Sequence, residues 1–199
     1  MLMGKMLFWP GRGKSAKILQ RFLAFISAFY DISIFPFDYD TGGNPFYSES
    51  SWSQWIKNNH FDWWCGISLG ASLSYVMASL SSKPSRITMI NPFQSRSILA
   101  EEKGFSIENQ WDFSLSNYTI NVENLDMVLS IYDEKIPIYH GITILNKAQA
   151  KFKRLIFIED THCIECSENQ IELANLLKKV EDGGRFDDRF LKHCYIYKQ

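Results

Sequence analysis

The chain has 199 residues, with 21 basic and 22 acidic side chains, 46% apolar and 22% charged. That length predicts a single domain over 1–199 with room for a sizeable core, and the near-neutral charge speaks against a nucleic-acid partner. No apolar run reaches the roughly 18 to 20 residues of a membrane span, residues 1–10 lack a signal-peptide pattern, and four cysteines are too few for a disulfide framework, so a cytoplasmic protein with reduced thiols is expected.

Met6 to Trp9 is a short apolar run closed by Pro10-Gly11-Arg12-Gly13, and the spacing of apolar residues from Lys14 to Tyr30 predicts a helix. Ile32 to Phe37 predicts a second strand, 38–50 a polar loop, and Ser51 to Asn59 a short helix. Asp62 to Ile67 is strand-like, Leu69 to Leu80 a helix of small residues, and Arg86 to Ile90 another strand. Residues 92–124 are polar and irregular, with a helix near Ser97 to Lys103, and read as an insertion. Strands over Leu125–Ile131 and Arg154–Ile158 flank a helical stretch over Gly141–Lys151, and Gln170 to Val180 closes with an amphipathic helix. The alternation predicts an α/β fold, a mainly parallel sheet with helices on both faces.

Gly66-Ile67-Ser68-Leu69-Gly70 fits G-x-S-x-G at the end of a predicted strand and the start of a predicted helix. A serine on that sharp turn lifts its hydroxyl above the sheet, and the glycines make room for the turn. The Leu69 backbone N–H then lies at the positive end of the helix, where an oxyanion would be stabilised. Asp133 follows the strand ending at Ile131, and His162 follows the strand ending at Ile158. The carboxyl ends of parallel strands share one edge, so Ser68, Asp133 and His162 can converge there in the order serine, acid, histidine.

In these features the chain resembles a small α/β-hydrolase. The resemblance covers most of the length and implies a serine esterase or thioesterase, with Asp133 to Pro137 matching the family's acid loop and His162 its histidine. Phe8 to Ser15 resembles the family's oxyanion loop, with Trp9-Pro10 where many members have His-Gly. Proline has no N–H, so Gly11 or Arg12 would supply the second oxyanion donor. The resemblance makes 92–124 a small lid, requires no cofactor or metal, and points to compact carboxylesterases and thioesterases. These include enzymes acting on a pimeloyl methyl ester carried by an acyl carrier protein.

Other readings of the same residues remain open. Glu134, Asp126 or Asp160 could be the acid, and His60, His140 or His193 the histidine. Gly11-Arg12-Gly13-Lys14-Ser15 suggests a phosphate loop and a kinase-like protein using Lys14, but that loop needs a glycine where Phe8 stands. His162-Cys163-x-x-Cys166 with His193-Cys194 offers zinc-type ligands at loose spacing. Trp52, Trp55, Trp63, Trp64 and Trp111 read as core before pocket, and Lys178, Lys179, Arg185 and Arg189 as a solvated face before a docking patch. A non-catalytic binding protein of the same fold is the alternative from another functional class. The apolar residues of 92–124, from Phe93 to Tyr118, predict either an acyl-chain pocket or an extension of the core.

Overall fold

The computed structural model describes residues 4–12, 15–36, 56, 58–80, 84–107, 112–181 and 194–198. The predicted 38–50 loop, Lys14, Trp52, Trp55, Trp111, Arg185, Arg189 and His193 lie outside them, as does most of the Ser51–Asn59 helix. Apolar residues at period two build the sheet: Met6 and Phe8 face one side of β1 (Gly4–Trp9), Leu7 and Trp9 the other. After α1 (Ser15–Ile18) and α2 (Gln20–Ser27) come β2 (Tyr30–Ile34), β3 (Trp63–Ile67), α3 (Leu69–Leu80), β4 (Arg86–Ile90) and α4 (Arg96–Lys103). A 3-10 turn (Leu115–Asn117), β5 (Asn121–Ser130), α5 (Tyr139–Lys147), β6 (Gln149–Ile158), α6 (Ser167–Glu181) and β7 (Cys194–Lys198) complete the order.

The strands form one sheet in the order β2-β1-β3-β4-β5-β6-β7, six of them parallel and β7 antiparallel to β6. Phe22 and Ile26 of α2 join Leu173 and Leu177 of α6 in the core on one face. On the other, α3 and α5 pack against Leu7, Ile87, Met89, Leu125 and Leu129. Leu69 to Ala78 of α3 are all buried, because residues from 92–124 cover the side that the sheet does not. Phe93, Leu99, Phe113, Leu115 and Ile120 belong to that core, whereas Ile98 and Phe105 are exposed.

Several boundaries move from their predicted places. The helix expected over Lys14–Tyr30 is interrupted at Leu19 and stops at Ser27, and Tyr30 instead opens β2, because parallel pairing runs from Gly4↔Tyr30 to Phe8↔Ile34. Residues 121–124, assigned to the insertion, belong to β5, and β6 begins at Gln149 because the two strands pair from Asn121↔Gln149 onward. That pairing also ends α5 at Lys147. The last helix starts at Ser167, since the Asp160 carboxylate accepts from the N–H groups of Glu165 (3.0 Å) and Cys166 (3.1 Å) just before it. β7 is not among the expected strands, since it is defined by its antiparallel pairing with β6.

One buried charge cluster crosses the sheet. Asp126 on β5 is fully buried and pairs with Arg154 on β6 and with Arg86 on β4, whose Nε donates to Oδ2 at 2.8 Å. Thr88 also donates to Oδ2 (2.9 Å) and accepts from Trp63 Nε1 (2.9 Å), while the Arg86 guanidinium lies 4.3 Å over the Trp63 ring. Burial works against the charge on Asp126, but the two guanidiniums and the donated hydrogen bonds outweigh it and hold its carboxyl below the usual range.

Candidate active site

β3 ends at Ile67, Ser68 takes a φ of 55°, and Leu69 opens α3. The turn is pinned from both sides: Ser68 N–H donates to the Ile90 carbonyl (2.8 Å), and Ser72 N–H to the Ser68 carbonyl (3.1 Å). Both motif glycines are required sterically. A Cβ on Gly66 would lie 2.7 Å from the Ala71 Cα, and one on Gly70 would overlap the carbonyl oxygens of Trp9 and Pro10. The second clash shows that the loop after β1 lies directly against the first turn of α3. Gly11 in that loop is buried and Arg12 exposed.

Asp133 lies three residues beyond β5 with its side chain 1% exposed. Its Oδ1 accepts from the N–H groups of Lys135 (2.8 Å) and Ile136 (2.9 Å), a local turn that holds the carboxylate in one orientation. That leaves Oδ2 for His162 Nδ1, 2.6 Å away. An imidazole that donates from Nδ1 to a carboxylate presents Nε2 as its free base. His162 is 8% exposed, and its loop is built around Asp160, which accepts from Thr161 N–H (2.7 Å) and Asn169 Nδ2 (2.8 Å) besides the two amides before α6. Ile164, a β-branched residue at φ 52°, completes this tight turn.

The rival residues are placed elsewhere. Asp126 belongs to the arginine cluster, Asp160 faces its own loop, and Glu134 is exposed. His60 is exposed, while His140 is buried with Nε2 3.0 Å from Glu102 Oε2. Cys166 Sγ donates to Glu168 Oε2 (3.0 Å), and among the described residues no three His, Cys, Asp or Glu side chains gather as metal ligands would. Burial pushes the Cys65 thiol well up, and it also raises that of half-buried Cys163. Beside His162 a cavity of about 270 Å³ is lined by Tyr132, Glu134, Lys135, Thr161, Cys163 and Glu165. Asn91 and the structural role of Asp160 are absent from the expectations drawn from sequence. An asparagine ending a strand between two candidate-bearing strands was the available signal for the first.

No protein-family profile and no curated protein sequence matches the chain. Solved structures do. The esterase domain of a Rhodothermus marinus protein superposes with a TM-score of 0.64 at 12% identity, over 89% of this chain and 85% of that one. Mouse alpha/beta hydrolase domain-containing protein 10 gives 0.64 at 14% identity, over 92% of each chain. A Pyrococcus furiosus esterase gives 0.63 at 15%, over 96% of this chain and 81% of that one. The chain has the α/β-hydrolase fold. In open α/β sheets, ligand sites form outside the carboxyl ends of the strands where the strand order reverses. Here the order reverses at β1, next to β3, so Ser68 and the Trp9–Arg12 loop stand at that point.

Proposed function

We propose that the chain is a serine hydrolase of carboxylic esters or thioesters, working through an acyl-enzyme. The observation that carries this reading is the 2.6 Å His162–Asp133 pair on the same sheet edge as a serine in a left-handed backbone conformation. His162 Nε2 takes the Ser68 hydroxyl proton as Oγ attacks the carbonyl carbon. The Leu69 N–H at the start of α3, with the N–H of Gly11 or Arg12, stabilises the resulting oxyanion. Collapse breaks the bond to the leaving oxygen or sulfur, which receives from His162 the proton that Ser68 gave up. Water, deprotonated by the same imidazole, then releases the acid and regenerates Ser68.

Asp133 holds the imidazole in the required tautomer and balances the imidazolium charge. The segment between β4 and β5, residues 92–120, serves as a lid over the acyl side. Ser72 on the first turn of α3 supports this placement, since its Oγ donates to the Phe93 carbonyl (2.8 Å) and accepts from the Phe93 N–H (3.1 Å). The names of the esterase neighbours favour a small ester substrate. An ester on an acyl carrier protein is the finer reading to be compared with it.

A fluorophosphonate probe followed by peptide mapping tests the proposal. Labelling at Ser68, abolished in Ser68→Ala together with at least about 10³-fold of the p-nitrophenyl ester turnover, is the expected result. Parallel assays on free esters, acyl thioesters and a carrier-protein methyl ester then rank the substrates. An unlabelled, folded protein would favour the non-catalytic binding alternative. Magnesium-dependent ATP binding lost in Lys14→Ala would favour the kinase-like one.

A further inference from the structure

Asn91 follows the last residue of β4, is 2% exposed and has a φ of 46°. It occupies the middle of the edge that carries Ser68, Asp133 and His162. The carbonyl of its neighbour Ile90 accepts from Ser68 N–H (2.8 Å), and its own N–H donates to the Val128 carbonyl (2.9 Å). Its side chain reaches both remaining loops. Oδ1 accepts from Ser130 N–H (2.7 Å), and Nδ2 donates to Ser130 Oγ (2.8 Å) and to the His162 carbonyl (2.7 Å).

The amide can sit only one way round, because Ser130 N–H must donate and the His162 carbonyl must accept. Ser130 in turn accepts through its carbonyl from Asp133 N–H (3.3 Å). One dipeptide, Ile90-Asn91, therefore bonds the serine turn, the strand end leading to the acid, and the backbone of the histidine. Asparagine suits the position because it tolerates positive φ and carries donor and acceptor on one short planar group.

We propose that Asn91 is a positioning residue that sets His162 in register with Ser68 and Asp133, an inference that rests on the serine-hydrolase reading. The imidazole hangs on a loop, and a displacement of about 1 Å can cost about 100-fold in rate. Anchoring the His162 carbonyl to β4 ties that loop to the strand that also holds Ser68.

Asn91→Asp tests it, because aspartate keeps the acceptor for Ser130 N–H and tolerates φ 46° but turns an oxygen towards the His162 carbonyl. The expected result is a fall in kcat of about 100-fold at unchanged KM, with equally slowed fluorophosphonate labelling and an altered pH profile. The His162 Nδ1 proton resonance should move as well. Asn91→Gly, compatible with the same φ, should behave alike. A folded variant with a lower melting temperature but wild-type kcat, pH profile and ring resonance would show a merely structural role and overturn the proposal. So would the absence, in the wild-type protein, of a cross-hydrogen-bond coupling from Asn91 Nδ2 to the His162 carbonyl carbon. A wild-type protein that neither labels nor hydrolyses esters refutes the serine-hydrolase reading instead. The ring resonance and the coupling still report on Asn91 in that case.

Discussion

Ser68 holds a conformation in which the Cβ of an L-residue crowds the following carbonyl, at a cost of about 1–2 kcal/mol. Glycine escapes that cost but loses more chain entropy on folding, so Ser68→Gly should be about 0.5–1 kcal/mol more stable than Ser68→Ala, although both lack the nucleophile. Thermal melts of the two variants check this, and a Ser68→Gly variant less stable than Ser68→Ala would mean that the turn is unstrained. At Asp133 the test concerns a proton. In Asp133→Asn the amide NH2 can face Nδ1, which moves the imidazole proton to Nε2 and removes the base. Turnover of a p-nitrophenyl ester should then fall by about 10⁴-fold with the fold intact. Glu134→Gln, at an exposed side chain, should stay near wild type in the same assay, because the carboxylate bonded to His162 Nδ1 is that of Asp133.

At the scale of elements, the site depends on the close approach of the loop after β1 to the first turn of α3. A Cβ on Gly70 meets backbone oxygens, Trp9 and Pro10, which have no rotamer to change. Gly70→Ala must therefore push the loop away, and with it the N–H of Gly11 or Arg12. Its kcat should drop about 100-fold, for about 1–3 kcal/mol of lost stability. Gly141→Ala is the contrasting case, because its Cβ would press on the side chains of Leu129 and Met127, which can adjust. That variant should lose stability in urea titrations while keeping its kcat. Equal effects of the two substitutions on kcat would break the link between this loop and catalysis.

For the whole molecule, the Arg86–Asp126–Arg154 cluster joins three adjacent strands through charges withdrawn from water. Asp126→Asn removes the carboxylate that both guanidiniums share in the interior, and should cost about 3–5 kcal/mol by urea denaturation. The pH dependence has a definite sign. Asp126 titrates lower in the folded than in the unfolded chain, so its stabilisation is complete above the unfolded-state value of about 4 and is lost as pH falls through the folded value. Wild type should therefore lose stability below about pH 4 more steeply than Asp126→Asn. Parallel acid slopes would mean that Asp126 is not held ionised by its partners.

The parts of this protein legible in its sequence are those encoded by local pattern. Leu69–Leu80 and Arg86–Ile90 have the expected bounds because burial runs unbroken through Leu69–Ala78 and through Arg86–Ile90, so their apolar and small-residue composition marks them locally. The G-x-S-x-G turn was readable for a similar reason, since a positive φ and two close backbone approaches each leave a required residue type in a fixed place. What depended on partners far along the chain could not be read. Tyr30 joins a strand because β1 pairs with it, β5 and β6 extend each other by several residues, and β7 exists only against β6. The apolar residues of 92–124 do not show by pattern which of them join the core, and Phe93, Phe113 and Leu115 do so because tertiary packing brings them around α3. Residue order could nominate Asp133 and His162, but their 2.6 Å contact and the Asn91 bonds beside it are distances between strand ends. They were decided by the register of the parallel sheet, which brings residues from four strands to one edge.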